Sequence, residues 1–158
     1  MRNHTVTHST FTLERTYPAS PVRAFRAWAD PVTKARWFAG AGDVYELDFR
    51  VGGREVNQGS HEGGPTLTFE SRYHDIVADE RIVYSSTMTA AGHDTATVSL
   101  TTVEFVSEGE GTRLVLTEQG TFLDDLENPA WREQGTSDWL NALGLELGAE
   151  PPPRSSNA

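Results

Sequence analysis

Two polar side chains stand where alternation directs apolar ones inward. Glu118 shares strand parity with Leu114 and Leu116, and Thr101 with Val103 and Phe105. Both therefore point to the covered side of a sheet. A carboxylate facing an apolar cavity has a raised pKa and can act as a general acid or base. With Tyr84 or Asn57 orienting an oxyanion, Glu118 is the best catalytic candidate in the chain. The bland alternative puts Glu118 at a solvated strand end, or pairs it with an arginine such as Arg15. Asn57, if inward, would orient a ligand carbonyl; if outward, it is a surface strand residue.

The aromatic residues Trp37, Phe38, Phe49, Phe69, Tyr84, Phe122, Trp131 and Trp139 are candidates to line an apolar pocket. Each is equally a candidate for ordinary core, where aromatic rings dominate. Gly135 interrupts a helical pattern, at about 0.5–1 kcal/mol relative to alanine. A close approach of sheet or ligand, or a kink, would account for it.

Other chemistries lack their residues. There is no cysteine, hence no disulfide, thiolate metal site or thiol nucleophile. His4 and His8 lie four apart in a segment patterned as tail or strand, and His61-Glu62 does not extend to a zincin motif. His74 is placed to reach a pocket mouth or, as a surface residue, to be satisfied locally. Gly40-Ala41-Gly42 precedes a strand and is not a phosphate-cradling turn. Asp124, Asp125 and Glu127 lack the spacing and central glycine of a calcium loop. No metal and no cofactor are expected.

The elements that must position these residues follow from periodicity. Residues 5–17 alternate and end at Pro18, so they form a strand. Ser20-Pro21 starts a helix through Phe25 and Ala29, and Asp30-Pro31 starts a second through Trp37-Phe38. From residue 43 period two holds for about eighty residues. It gives a strand through Tyr45, Leu47, Phe49 and Val51, and further strands through Val56, 66–77, 81–88, 96–106 and 112–120. Asp48 and Arg50 fall on the face opposite Phe49, where cross-strand ion pairs are expected. Pro129 to about Leu147 is a long helix, with Trp131, Trp139, Leu140, Leu143 and Leu147 as one stripe. The expected fold is α+β: a curved antiparallel sheet of six to seven strands wrapped around the long C-terminal helix, with two short helices after strand 1. Residues 1–150 read as one domain and the proline-rich 151–158 as a disordered tail.

This order of elements resembles the START-like, or SRPBCC, helix-grip superfamily. Particular stretches resemble its branch homologous to the heat-shock-protein ATPase activator. They are Pro21 to Trp28 followed by Asp30-Pro31, then Arg36-Trp37-Phe38, and Asp48-Phe49-Arg50-Val51-Gly52-Gly53-Arg54. The Ile76 to Tyr84 hairpin and Gly111 to Thr117 fit as well, so the likeness spans about residues 8–148. Trp37-Phe38 stands where many relatives carry Trp-Trp. The resemblance implies a pocket between sheet and final helix for apolar or amphipathic small molecules. The superfamily also includes cyclases and a co-chaperone domain, and fold alone does not choose among them.

Composition narrows the choice. The chain has 158 residues, 37% hydrophobic and 23% charged, with a net charge of −10. That field repels a phosphate backbone, and no basic patch interrupts it, so nucleic acid is not the expected partner. No apolar run approaches the ~20 residues of a membrane span, and the N-terminus lacks a signal-peptide core, so a cytoplasmic location without membrane insertion is expected. The leading expectation is sequestration, transport or sensing of a small hydrophobic or amphipathic molecule. A cyclase or hydrolase acting on a polyketide-like substrate through Glu118, and a co-chaperone-like interaction protein, are the alternatives. The open edges of such a sheet also allow a homodimer.

Overall fold

A computed structural model describes residues 4–60, 64–91 and 94–149. The elements run β1 (Val6–Tyr17), α1 (Pro21–Ala29), α2 (Pro31–Phe38), β2 (Val44–Leu47), β3 (Arg54–Gly59), β4 (Leu67–Val77), β5 (Arg81–Ala90), β6 (Thr95–Glu108), β7 (Gly111–Leu123) and α3 (Pro129–Glu146). The expected tail at 151–158 lies outside the described residues, as do His61 and His93.

Helix starts follow local chemistry. The Ser20 hydroxyl accepts from the Arg23 N–H at 3.3 Å, and Pro21 supplies a first helical residue with no N–H to satisfy. Asp30 ends α1 and starts α2: its carboxylate accepts from the Thr33 backbone N–H at 2.9 Å and hydroxyl at 2.7 Å. Those bonds hold its pKa below the ordinary carboxylate range. Asn128 caps α3 by accepting from the Ala130 N–H at 2.9 Å.

All seven strands form one antiparallel sheet in the order β1-β7-β6-β5-β4-β3-β2. The run β2 to β7 is a meander of neighbours. β1 then joins β7, so the successive strands β1 and β2 occupy opposite edges. The chain between them must cross the sheet, and α1 and α2 make that crossing on its covered face. The α+β helix-grip expectation is thus met, with seven strands.

Two details differ from the expected pattern. The strand expected to continue through Val51 stops at Leu47. Arg50 N–H bonds Asp48 O and Gly53 N–H bonds Arg50 O, so residues 48–53 are a turn, with Gly52 at φ 83°. Asp48 and Arg50 consequently pair with each other at 2.8 Å within that turn, not across strands.

Three rows of the covered face bear on the site. One reads Tyr73, Tyr84, Thr101, Glu118 and Phe11 across β4, β5, β6, β7 and β1. The next reads Glu55, Ser71, Ser86, Ser99 and Gly120 from β3 to β7. The third reads Asn57, Phe69, Met88, Thr97 and Phe122. Small side chains in the middle row leave depth for groups reaching in from the helices. α3 answers with Arg132, Thr136, Leu140, Leu143 and Leu147, all buried. This stripe is polar over the serines and apolar over the core. It shares Leu140, Leu143 and Leu147 with the expected stripe but begins on Arg132 and Thr136, which leaves Trp131 69% exposed. The core itself centres on Trp28, Ile82, Val103, Phe105, Leu114 and Leu116. The Tyr17 hydroxyl ties it to α3 by donating to the Leu140 carbonyl at 2.7 Å.

Candidate functional site

The third row and α3 do not close on each other. Between them lies a hollow of about 280 Å³, walled by Trp37 and Phe38 of α2, Asn57 and Gly59 of β3, Leu67 and Phe69 of β4, Met88 of β5, Trp139 of α3, and the turn residues Ala39, Gly40 and Asp43. Phe38, Phe69 and Trp139 form a ring triangle, with centroids 4.5 Å apart for Phe38–Trp139 and 5.8 Å for the other two pairs. Such tilted and edge-on pairs are mutually attractive and hold the wall rigid. Asp43 is fixed by the Gly40 N–H at 2.8 Å. Its carboxylate occupies the space a side chain at residue 59 would need, which accounts for Gly59. Asn57 Oδ1 is buried here without a hydrogen-bond partner. A second hollow of about 370 Å³ lies further toward the start of α3, walled by Pro65, Leu67, Met88, Ala90, Asp94, Ala96, Leu126, Glu127 and Trp131.

The residues singled out in the sequence divide accordingly. Trp37, Phe38, Asn57, Phe69 and Trp139 meet at the first hollow. Trp131 belongs to the second, on the surface. Gly135 lies between these two tryptophans on α3, and a Cβ placed on it would meet nothing within 4 Å. No close approach of the sheet therefore explains this glycine. Phe49 packs edge-on against Phe25 and Tyr73, in the core. Phe122 folds its ring over Gly120, where any Cβ would collide with it. Tyr84 is buried in the core, where desolvation raises its pKa and keeps it protonated. His74 is exposed and bonds Ser85 at 2.7 Å.

Glu118 and Thr101 do point inward and are buried, but neither walls a hollow. Arg132 holds Glu118, donating from Nε to both carboxylate oxygens at 3.1 and 3.2 Å and from Nη2 to Oε1 at 2.8 Å. Thr101 donates to the same oxygen at 3.4 Å. Arg15, the suggested partner, instead bonds Asn141 and Ser137. Arg132 also bonds Ser99 at 3.1 Å, lies 4.9 Å over the Phe69 ring, and stands 3.9 Å from Glu127. Burial disfavours its charge, yet Glu118 and Glu127 outweigh that and raise its pKa. Glu118 is thus one half of a buried ion pair, with three of these bonds on Oε1 and one on Oε2.

A second buried pair escaped the sequence reading. Lys34 Nζ of α2 meets Glu55 Oε2 at 2.6 Å, both side chains fully buried. The Tyr45 hydroxyl donates to the same oxygen, and Lys34 donates to the Tyr73 hydroxyl at 3.4 Å. The ammonium lies 4.4 Å from the Phe38 centroid and 5.0 Å from that of Trp28, within cation–π range. Burial lowers the Lys34 pKa and Glu55 opposes the shift. The signal was present: Lys34 precedes Trp37 and Phe38 by three and four residues, at an apolar-stripe position, and Glu55 shares parity with Asn57. The pair buttresses the wall that Phe38 presents to the first hollow. Among the described residues no three histidine, aspartate or glutamate side chains gather to hold a metal ion.

Comparison with known proteins agrees with this architecture. The sequence profile of the Activator of Hsp90 ATPase homolog 1-like protein family matches residues 18–148. A crystal structure of a Rhizobium loti protein is similar at 49% identity over 90% of this chain and 99% of that one, with a TM-score of 0.85. A Rhizobium leguminosarum protein is similar at 40% identity over 92% and 97%, TM-score 0.87. A Chromobacterium violaceum protein follows at 28% over 89% and 98%, TM-score 0.75. No curated protein matches the chain.

Proposed function

Since the chain belongs to the Activator of Hsp90 ATPase homolog 1-like protein family, we propose that its first hollow binds a small hydrophobic or amphipathic molecule for sequestration, transport or sensing. The observation that carries this reading is Asn57. A buried amide oxygen without a partner costs free energy, about 1–3 kcal/mol in protein mutational data. It walls a cavity that, apart from the Asp43 carboxylate, is mainly aromatic and aliphatic. A ligand with an apolar body and one N–H or O–H donor satisfies both features at once. Few convergent polar groups in an apolar concavity are the usual composition of a ligand site.

Native mass spectrometry of the purified protein, compared with its denatured mass, tests for a retained molecule. Thermal unfolding against a panel of phenols, alcohols and amines tests for added ones. A ligand at a hundredfold its Kd stabilises by about 2.7 kcal/mol. Asn57→Leu should keep the fold and weaken donor-bearing ligands about tenfold while sparing purely apolar ones. Absence of any stabilising compound, together with a clean apo mass, contradicts the reading.

A further inference from the structure

The two edges of the sheet are built differently. β2 presents four residues, Val44–Leu47. β1 presents 12, Val6–Tyr17, paired with β7 on one side and, among the described residues, with no strand on the other. A long open edge is a template for another strand, and natural edges are guarded by brevity, proline, lysine or bulges. β1 has no proline and no lysine, and its register against β7 runs unbroken from Val6 to Tyr17. The register shifts of this sheet lie between β4 and β5 and between β5 and β6. An inward charge also guards edges, but Arg15, the one on β1, is tied to Asn141 and Ser137 of α3.

The open backbone groups can be assigned. The Thr5 carbonyl accepts from the Asp124 N–H at 2.8 Å, so this pair is a hydrogen-bonded one. Such pairs alternate along an antiparallel ladder. Odd-numbered residues of β1 therefore bond β7, and Val6, His8, Thr10, Thr12, Glu14 and Thr16 turn N–H and C=O outward. A second copy related by a twofold axis must then pair even residues with even ones, and the axis passes through a residue. Centred on Phe11, Val6 meets the partner's Thr16, His8 the partner's Glu14 and Thr10 the partner's Thr12, so every outward residue of the strand is paired. Centring on Thr12 would set Val6 against the partner's Pro18, which has no N–H. Centring on Thr10 would pair Thr16 with the partner's His4, beyond the strand.

Side chains favour the same register. His8 and Glu14 are both exposed, and an imidazole N–H donates to a carboxylate in either protonation state. The axis makes that contact twice. On the covered face the two Phe11 rings meet as a non-hydrogen-bonded pair, where side chains approach closest. Phe11 is packed on the core but only half-buried within one copy.

We propose that the protein forms a homodimer through β1, two copies pairing antiparallel about a twofold axis at Phe11 so that their sheets run on as one. This interface lies apart from both hollows and is independent of what they bind.

Sedimentation velocity of the full chain, over concentrations up to about 100 μM, tests for the dimer. Thr10→Pro removes an outward N–H at a position that gives none to β7, so the ladder within the chain survives. It should raise the dimer Kd at least about tenfold. His8→Glu sets like charges opposite each other at both symmetric contacts and should raise it about tenfold. His8→Glu combined with Glu14→Lys should restore it to within about threefold of the wild type. Melting curves establish that each variant is folded. A wild type that stays monomeric throughout, or a dimer that folded Thr10→Pro leaves unchanged, overturns the proposal. A dimer that His8→Glu does not weaken, or that the double variant does not recover, overturns the register on which it rests.

Discussion

Burying an ammonium beside a carboxylate costs several kcal/mol per ion before their attraction is counted. Lys34 and Glu55 offset that through a 2.6 Å contact, two tyrosine hydroxyls and the surrounding ring faces. Lys34→Met alone strands Glu55 and should destabilise by about 3–5 kcal/mol, whereas Lys34→Met with Glu55→Gln should recover most of it. Urea unfolding of the two variants measures the difference. The pair also sets a pH dependence. Because burial lowers the folded pKa of Lys34 below its ordinary 10.5, the unfolded chain binds the extra proton, and stability rises with pH between the two values. Above pH 10 the buried tyrosines, whose pKa values are raised, act in the opposite sense. The wild type should therefore gain stability relative to the double variant as pH rises from the folded pKa of Lys34 toward 10.5. Arg132→Met should likewise cost about 3–5 kcal/mol by leaving Glu118 buried and unpaired. Neither pair was legible as a pair. Glu118 was placed inward by alternation, but charged residues default to the surface in a periodicity argument, so Lys34 and Arg132 were passed over.

Elements were legible where one period ruled a long segment. The strands from β4 to β7 and the three helices follow from alternation, from Ser20 and Asp30 as caps with the prolines after them, and from the helical spacing after Pro129. Reading failed where local geometry broke the period. Phe49 kept the parity of Tyr45 and Leu47, yet it lies inside the turn made by the bonds around Asp48 and by Gly52 at positive φ. Trp131 kept a helical spacing to Trp139, but the buried stripe runs through Arg132, since the serine row admits a long polar side chain there. Two glycine substitutions should therefore act oppositely. Gly53→Ala drives a methyl into the Asp48 carbonyl oxygen and should lower the melting temperature. Gly135→Ala meets open space and should stabilise by about 0.5–1 kcal/mol through helix propensity.

At the scale of the whole molecule, the placement of β1 and β2 on opposite edges sends α1 and α2 across the sheet, and α2 then shares its face with α3. Trp37 and Phe38 reach the hollow by that route, although Asn57, Phe69 and Trp139 come from far along the chain. The hollow is thus a property of topology. Its wall residues could be nominated from the sequence, but which of them meet depends on the register and on the rotation of α3. None of the described helices is long and apolar enough to cross a membrane. The central claim is that an apolar molecule occupies the space under α3, and the chain carries a direct reporter of it. Of two methionines, Met1 and Met88, Met88 walls both hollows. A methyl-labelled methionine spectrum recorded during titration with a compound that raises the melting temperature should show the Met88 signal moving to saturation. A stabilising compound that leaves the Met88 methyl unmoved would place binding elsewhere and contradict the account.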